Sequence, residues 1–276
     1  MSSVISFFKY SATGNDFILI DNRNRLFSGD EKAQFELLCA RKTGIGADGI
    51  LLVEANAPPF DFRMRYFNRD GRESEMCGNG ARAAAYHAAN YGIAGNSMTF
   101  EVSGGTYHAS VNAARVRLVM PRPTDMRLKL GVWEETFPEM ADRCWDGGFV
   151  NTGVPHYVLF ASELETIPVN QWGRVLRRHD AFAPAGTNVN FAKRIDAQTL
   201  MLRTYERGVE EETLACGTGA VATAMLALER KIVNRLPVRL LVPGGELVVD
   251  FEQISNNPTL TGEVDMVFRG EFERSR

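Results

Sequence analysis

The sequence predicts a mixed α/β protein built in two parts on one plan. Three observations lead there. The phrase Cys-Gly-x-Gly-Ala occurs twice, at residues 77–81 and 216–220. Each copy runs into a small-residue helical stretch, Arg82-Ala83-Ala84-Ala85 in the first and Val221-Ala222-Thr223-Ala224 in the second. Each is also preceded by short apolar or alternating runs separated by turn residues, the pattern of strands. A chain of 276 residues holds one large or two modest domains, each with its own core.

The elements follow in order. Residues 4–10 alternate weakly as a strand, and Phe17-Ile18-Leu19-Ile20 is a second, buried one. The turn-rich Ser11-Ala12-Thr13-Gly14-Asn15-Asp16 between them makes the pair a hairpin. Asn15 and Asp16 suit a turn for local reasons alone. Residues 30–41 carry Phe35, Leu37 and Leu38 at helical spacing. Gly44-Ile45-Gly46-Ala47-Asp48-Gly49 is a glycine-rich loop leading into the strand Ile50-Leu51-Leu52-Val53. A dinucleotide-binding glycine loop follows its strand, whereas this one precedes it, which rejects that reading. Residues 62–67 alternate as a strand, and Asn68-Arg69-Asp70-Gly71 is a turn.

The helix after the first Cys phrase spans 79–91 and stops at Gly92, a glycine C-cap. Strands follow at 98–102 and 116–120, with Gly104-Gly105 turning between them. Pro121-Arg122-Pro123 closes the first part, because proline fixes its own backbone and restricts its predecessor. The plan then begins again. A strand at 148–152, the tight turn Gly153-Val154-Pro155-His156 and a strand at 157–160 come first. A loop at 184–187 enters the next strand, and another strand covers 200–205. The charged turn Glu206-Arg207-Gly208 precedes the second Cys phrase. Its helix, 218–230, has Arg230 and Lys231 where cations favour the helix dipole. Residues 238–242 and 246–251 form a hairpin around Pro243-Gly244-Gly245, and a last strand covers 264–268.

Composition narrows the function. Hydrophobic residues make up 45% and charged residues 24%, ordinary for a globular protein. The net charge of −3 disfavours a general nucleic-acid binder. No apolar run approaches the ~20 residues of a membrane span, and no basic-then-apolar leader is visible at the start. Four dispersed cysteines do not resemble a disulfide framework. The expectation is a cytoplasmic protein with no membrane or nucleic-acid partner, acting on a small molecule. A homodimer is one assembly the sequence leaves open.

The repeated phrase carries the chemistry. A helix N-terminus presents unpaired N–H groups and partial positive charge. Glycines let a ligand approach them, so an anion binds there and a thiol placed there ionises more easily. Two such ends, each with a cysteine, can hold one carboxylate and flank the carbon beside it. That arrangement removes a proton from one face and returns one to the other, as in a two-thiol racemase or epimerase. The plainer reading of either cysteine alone is a small buried apolar residue, but packing does not require the same Gly-x-Gly context twice. The cysteines at 39, 77, 144 and 216 and histidines at 87, 108, 156 and 179 show no close ligand pairs, so no metal is expected. No Gly-Lys-Ser/Thr follows the glycines, against a phosphate loop. His156, at a strand–turn junction, is either a hydrogen-bonded structural histidine or a group that orients a thiol.

With both phrases in place the chain resembles the diaminopimelate epimerase family over nearly its whole length. Gly14-Asn15-Asp16-Phe17 is similar to the family's opening motif. Phe67-Asn68-Arg69-Asp70-Gly71 with Cys77-Gly78-Asn79-Gly80-Ala81-Arg82 resembles its first catalytic segment. Gly186-Thr187-Asn188-Val189, Tyr205-Glu206-Arg207-Gly208 and Ala215-Cys216-Gly217-Thr218-Gly219 resemble the second. The resemblance implies two pseudo-twofold-related lobes, each a mostly antiparallel sheet wrapped around a central helix, with the active site between them. It implies lobes of 1–120 with 264–276 and of 121–263, because the last strand returns to the first lobe. The implied reaction interconverts LL- and meso-diaminopimelate without pyridoxal or any other cofactor.

By the same resemblance Cys77 and Cys216 are the acid/base pair. Gly78, Asn79, Gly217 and Thr218 surround the reacting carboxylate. Asn15, Asn68, Asn188, Glu206 and Arg207 bind the amino groups and distant carboxylate, and His156 and Glu206 tune the thiols. Two positions depart from the pattern: many members carry Gln where Gly49 stands and Asn where Val154 stands. The proline racemase group has His after Cys-Gly where this chain has Asn79. The alternatives are another racemase or a 3-hydroxyproline dehydratase of this fold, or a non-catalytic amino-acid-binding module.

Overall fold

The computed structural model describes residues 3–74, 77–138 and 144–274. The chain divides into two compact units, Met1–Leu118 with Gly262–Arg276, and Val119–Thr261.

The first unit contains β1 (Ser3–Ala12), β2 (Asn15–Asp21), α1 (Lys32–Cys39), β3 (Gly49–Glu54), β4 (Phe62–Asn68), β5 (Glu73–Ser74), α2 (Gly78–Asn90), β6 (Ser97–Val102), β7 (Gly105–Asn112) and β8 (Arg115–Val119). Strands β1 and β2 form a hairpin, with Phe8 opposite Leu19 and Ala12 opposite Asn15. Strand β2 runs parallel to β3 and β4 parallel to β6, while β3–β4, β4–β5 and β6–β7 are antiparallel. Parallel neighbours need a crossover. Helix α1 lies in the connection from β2 to β3, and α2 in that from β4 to β6.

The second unit repeats this order. It contains β9 (Thr124–Arg127), α3 (Val132–Thr136), β10 (Cys144–Asn151), β11 (Pro155–Ala161), α4 (Val169–Leu176), β12 (Asn188–Arg194), β13 (Thr199–Tyr205), β14 (Glu212–Thr213), α5 (Gly217–Glu229), β15 (Val238–Val242) and β16 (Gly245–Phe251). Strands β10 and β11 are antiparallel, β11 and β12 parallel, and β12 and β13 antiparallel. Strand β13 runs parallel to β15, and α5 crosses between them. Strand β17 (Pro258–Arg274) starts in the second unit and continues in the first, where it pairs antiparallel with β1.

Each unit is built on its crossover helix. On α2, residues Asn79 through Ala85 are all buried, as are His87 and Ala88. On α5, Gly217 through Ala224 are buried, with Leu226 and Ala227. A helix buried over most of its surface is largely apolar, with the buried Asn79, Arg82 and His87 of α2 each hydrogen-bonded, and short side chains let strands approach its backbone. Alanine also has the best helix propensity. The outer helices are different. Helix α4 buries Val169, Trp172, Gly173 and Leu176, the one-sided stripe of an amphipathic helix, against Phe191 and Tyr205. In the first unit, α1 buries Phe35 and Leu38 against Ile50, Leu52 and Phe67.

One ion pair recurs. Arg65 clamps Glu73 through Nε (2.9 Å) and Nη2 (2.7 Å), tying β4 to β5. Arg203 clamps Glu212 in the same two-pronged way, at 2.7 Å for both contacts, tying β13 to β14. Paired N–H···O bonds fix geometry as well as adding energy.

Several expectations are corrected. Helix α1 is shorter than residues 30–41, and its N-cap Glu31 makes no side-chain capping bond. Residues 105–112 form β7, so the turn at Gly104 joins β6 to this unexpected strand rather than to the one at 115–119. Helices α3 and α4 and strand β9 were not expected, although α4 carries apolar residues at i, i+3 and i+7 in plain view. The last strand has 17 residues instead of five.

Gly173 shows how tightly α4 is seated. A Cβ there would lie 2.4 Å from Cβ and Cγ of Tyr205. Helix propensity alone would make Gly173→Ala stabilising by about 1 kcal/mol. Overpacking costs about 1–3 kcal/mol and outweighs it. Urea unfolding of Gly173→Ala is therefore expected to show a net loss of stability.

Candidate active site

Each Cys phrase begins a buried helix. Cys77 is the N-cap of α2, with extended backbone at φ −149°, and its Sγ accepts a hydrogen bond from the Gly80 amide at 3.3 Å. Sulfur here does what the side-chain oxygen of a Ser or Asp N-cap usually does. Cys216 is the N-cap of α5, also extended at φ −121°, but makes no such capping bond. Open space surrounds the Cα of Gly78, where a Cβ would meet nothing within 4 Å. Packing around the Cβ position does not require that glycine.

In the first unit a polar network holds the residues around Cys77. Asn15 opens β2. Its Nδ2 donates to Asp48 Oδ2 at 2.6 Å, which turns Oδ1 toward the helix start. There Oδ1 accepts from Asn79 Nδ2 at 3.2 Å and lies 3.9 Å from Cys77 Sγ. Asn79 Oδ1 in turn accepts from Arg82 Nη2 at 3.0 Å. Arg82 is fully buried, and burial lowers its pKa to about 10, with the Cys77 charge acting in the opposite direction. Nη2 also donates to Thr13 Oγ1 at 3.0 Å. Thr13 has φ +54°, uncommon for a β-branched residue, and this bond anchors the turn from which Asn15 projects.

Behind Asp48 lie more charges. Asp48 and Asp16 exchange backbone and carboxylate hydrogen bonds. Arg41 bridges both carboxylates, at 2.8 Å to Asp16 and 2.6 Å to Asp48. Buried Lys9 pairs with Asp16 at 2.7 Å and donates to the Gly46 carbonyl. Burial would raise the Asp16 pKa, but hydrogen bonds from Arg41 and Lys9 outweigh it and hold the carboxyl at about 2.

In the second unit Cys216 Sγ lies 3.5 Å from Thr218 Oγ1. Thr218 Oγ1 is 2.9 Å from His156 Nε2, and the Thr218 carbonyl accepts from Thr152 Oγ1 at 3.0 Å. His156 Nδ1 is 3.0 Å from Asn190 Nδ2. Burial, reinforced by the Arg207 charge, pushes the His156 pKa down to about 3 and keeps the ring neutral. Asn188 joins two loops: its Nδ2 donates to the Pro155 carbonyl at 3.1 Å, and its Oδ1 accepts from the Arg207 amide at 2.9 Å. Arg207 Nη1 donates to the Ala185 carbonyl at 3.0 Å. Glu206 Oε1 accepts from Thr213 Oγ1 at 2.6 Å.

Cys77, Gly78, Asn79 and Asn15 thus stand together in the first unit, and Cys216, Gly217, Thr218 and His156 in the second. Asn188, Glu206 and Arg207 flank the second set on adjoining turns. Asn68 is exposed at the end of β4, with its backbone closing the 68–71 turn. Sequence reasoning missed Lys9, Arg41, Asp48, Arg82 and Asn190. Asp48 stood within the glycine loop, legible as a charge in an otherwise small-residue motif, whereas Arg82 follows the first phrase and is hidden among the alanines of the helix. Gly49 has a structural reason: a Cβ there would lie 2.5 Å from both the Phe67 carbonyl and Tyr66 Cε2. Tyr66 occupies the space a longer residue at 49 would need.

The Asp16 cluster has a defined pH signature. Its folded pKa lies below the ordinary value of 3.8, so its contribution is present above that value and is lost as pH falls toward about 2. The shift corresponds to about 2 kcal/mol. In chemical denaturation, Asp16→Asn is expected to have a shallower stability–pH slope than the parent between about pH 4 and pH 2, with no added difference in slope near neutrality.

The family profile for Diaminopimelate epimerase matches residues 7–124 and 148–267. The diaminopimelate epimerase of Aquifex aeolicus (strain VF5) is 40% identical over 279 residues, covering 97% of this chain and 98% of its own. That of Chlorobaculum tepidum is 41% identical over 266 residues, covering 94% and 98%. Among solved structures, a phenazine biosynthesis protein of the PhzF family from Bacillus anthracis superposes with a TM-score of 0.77 at 17% identity, over 98% of this chain and 99% of that one. A hydroxyproline epimerase from Agrobacterium vitis with bound trans-4-hydroxy-L-proline gives 0.62 at 13% identity, over 98% and 92%. The solved structures share the fold, and the sequence relatives match over nearly the whole length of both chains: this chain belongs to the diaminopimelate epimerase family of isomerases.

Proposed function

We infer that this protein interconverts LL- and meso-diaminopimelate by moving the α-proton between two thiols, Cys77 and Cys216, with no pyridoxal cofactor. The observation that carries the reading is the pair of N-cap cysteines, each opening a glycine-rich turn of a buried helix. One sulfur, as thiolate, takes the proton from one face of the α-carbon, and the other, as thiol, delivers a proton to the opposite face. Amides of Gly78, Asn79, Gly217 and Thr218 hold the adjacent carboxylate, where oriented N–H groups stabilise the charge that builds on it in the transition state. Asn15, Asn68, Asn188, Glu206 and Arg207 hold the distant amino-acid head.

The helix ends cannot do this alone. A free thiol titrates near 8.5. A helix terminus contributes typically ~0.3–1 and at most ~2 kcal/mol, about one pKa unit at ~1.36 kcal/mol each. Direct hydrogen bonds to sulfur must add to that, and the Gly80 amide on Cys77 and the Thr218 hydroxyl near Cys216 are suited to it. If both thiols ionised their charges would oppose one another, so the pair titrates as a coupled unit.

A proline-type substrate is disfavoured, because the racemase-type solved structure is only 13% identical whereas the named relatives reach 40%. A cytoplasmic setting suits two reactive thiols, and no described helix is long and apolar enough to cross a membrane. Assembly as a homodimer is supported by exposed Met266 on β17 and the exposed Tyr91 it contacts. Apolar patches of this kind mark interaction surfaces. Sedimentation is expected to give a dimer that Met266→Lys dissociates, and a monomeric parent would remove this part of the reading.

The central test is isotope exchange. In deuterated water the parent protein is expected to place deuterium at the α-carbon of diaminopimelate while converting LL to meso. Cys77→Ala and Cys216→Ala are each expected to lose turnover by at least about a thousandfold, as loss of an acid–base group does. Normal LL-to-meso conversion by either variant overturns the two-thiol reading. Absence of exchange in the parent overturns the epimerase reading itself.

A further inference from the structure

The two cysteines sit on the same frame but against different chemistry. In the first unit Phe17 pairs with Gly49 and Leu51 with Tyr66. At the matching register positions of the second unit, His156 pairs with Asn188 and Asn190 with Thr204. The helix starts report the same correspondence. A Cβ on Gly80 would come within 2.9 Å of Leu51 Cδ2, and one on Gly219 within 2.4 Å of Asn190 Oδ1. Phe17, Leu51 and Tyr66 fill the first set of positions, with Phe17 and Tyr66 edge to face at 6.0 Å. His156, Asn190 and Thr204, all buried, fill the second.

The second set fixes its own hydrogens. Asn190 Nδ2 lies 3.1 Å from the Tyr157 carbonyl oxygen. A carbonyl only accepts, so the amide nitrogen faces it, while Asn190 Oδ1 accepts from Thr204 Oγ1 at 3.0 Å. The second hydrogen on Nδ2 then points to His156 Nδ1 at 3.0 Å, which must be unprotonated to accept it. A neutral imidazole with a bare Nδ1 carries its hydrogen on Nε2. Nε2–H therefore donates to Thr218 Oγ1. The lone hydroxyl hydrogen of Thr218 is left to point toward Cys216 Sγ.

We propose that Asn190 is a positioning residue for the reaction: it locks His156 in the Nε2–H tautomer, and the Thr218 hydroxyl passes that polarity on as a donor to the sulfur of Cys216, favouring its thiolate. His156 on this account does not take the thiol proton. It orients the hydroxyl that stabilises the thiolate, and Cys77, with Leu51 at the position of Asn190, has the Gly80 amide instead. The kinetic consequence rests on the two-thiol reaction proposed above. The tautomer and the thiol reactivity are properties of the protein alone, so their failure is distinguishable from failure of that reaction.

The test uses the full chain and two variants. Nitrogen-15 NMR of the four histidines is expected to show His156 of the parent as a single neutral Nε2–H tautomer. Asn190→Leu, which installs the residue found at the matching position of the first unit, is expected to mix the tautomers. Thr218→Val cuts the other link and leaves the tautomer unchanged. The pH midpoint of iodoacetamide alkylation, followed peptide by peptide, is expected to rise for Cys216 by about one unit in both variants, about tenfold less thiolate at a pH well below the midpoint. The midpoint for Cys77 stays where it is. Arg207, whose charge acts on His156, and neighbouring Glu206 are present in all forms. A fall in kcat with little change in KM should accompany Asn190→Leu. A purely structural asparagine would lower the melting temperature without moving the Cys216 midpoint relative to that of Cys77. His156 protonated on Nδ1 in the parent, or an unmoved Cys216 midpoint in Thr218→Val, overturns the proposal even if Asn190→Leu does not fold.

Discussion

A helix buried along its length still has first-turn N–H groups without partners inside the helix, and the rest of this structure follows from how that need is met. Both crossover helices begin at a cysteine followed by Gly-x-Gly. On α2 the cysteine sulfur takes up one amide. On α5 the cysteine makes no capping bond of that kind, and its neighbour Thr218 engages the sulfur through its hydroxyl. Burial raises the cost of leaving such groups unpaired, so the carboxylate proposed to bind there would gain what water would otherwise have supplied. Architecture and the proposed chemistry are thus one problem, because a non-helical or exposed start would offer neither the unpaired amides nor the helix dipole that the proposed reaction draws on.

The two units share more than a plan. The order of parallel and antiparallel pairings is the same, and a two-pronged Arg–Glu clamp recurs at Arg65–Glu73 and Arg203–Glu212. The divergence lies in what stands beside each cysteine. The first unit packs Leu51 there and surrounds Asn15 with charges running back through Asp48, Asp16, Arg41 and Lys9. The second unit replaces apolar side chains with a buried, mutually satisfied polar chain of Thr204, Asn190, His156 and Thr218. Fully connected networks of this kind hold a single arrangement, which a group required to keep one tautomer needs.

Much of this was legible in the sequence and the remainder was hidden for identifiable reasons. The hairpin of β1 and β2, both crossover helices and the strands beside them follow from alternation, turn residues and small-residue runs, which are local signals. Helix α4 is equally local, since Val169, Trp172 and Leu176 stand at helical spacing. The length of β17 was not local: residues 269–274 are held as strand by β1, more than two hundred positions away in sequence. The cysteines and their glycines stood out because they repeat. Asn190 did not, because a polar residue in a strand reads as facing solvent, and only the pairing register reveals that it faces the start of α5. Arg82 was masked in the same way by the alanines around it, which marked a buried helix without saying that a charge lay inside it.

The contact between Gly49 and the ring of Tyr66 reaches beyond packing. Either residue constrains the other, and the Phe67 carbonyl, equally near, belongs to the backbone and stays whatever side chain stands at 66. A lineage that drifts at position 49 toward a bulky amide must therefore respace β3 and β4 as well as exchange the aromatic ring, which couples two side chains to the course of the strands that carry them.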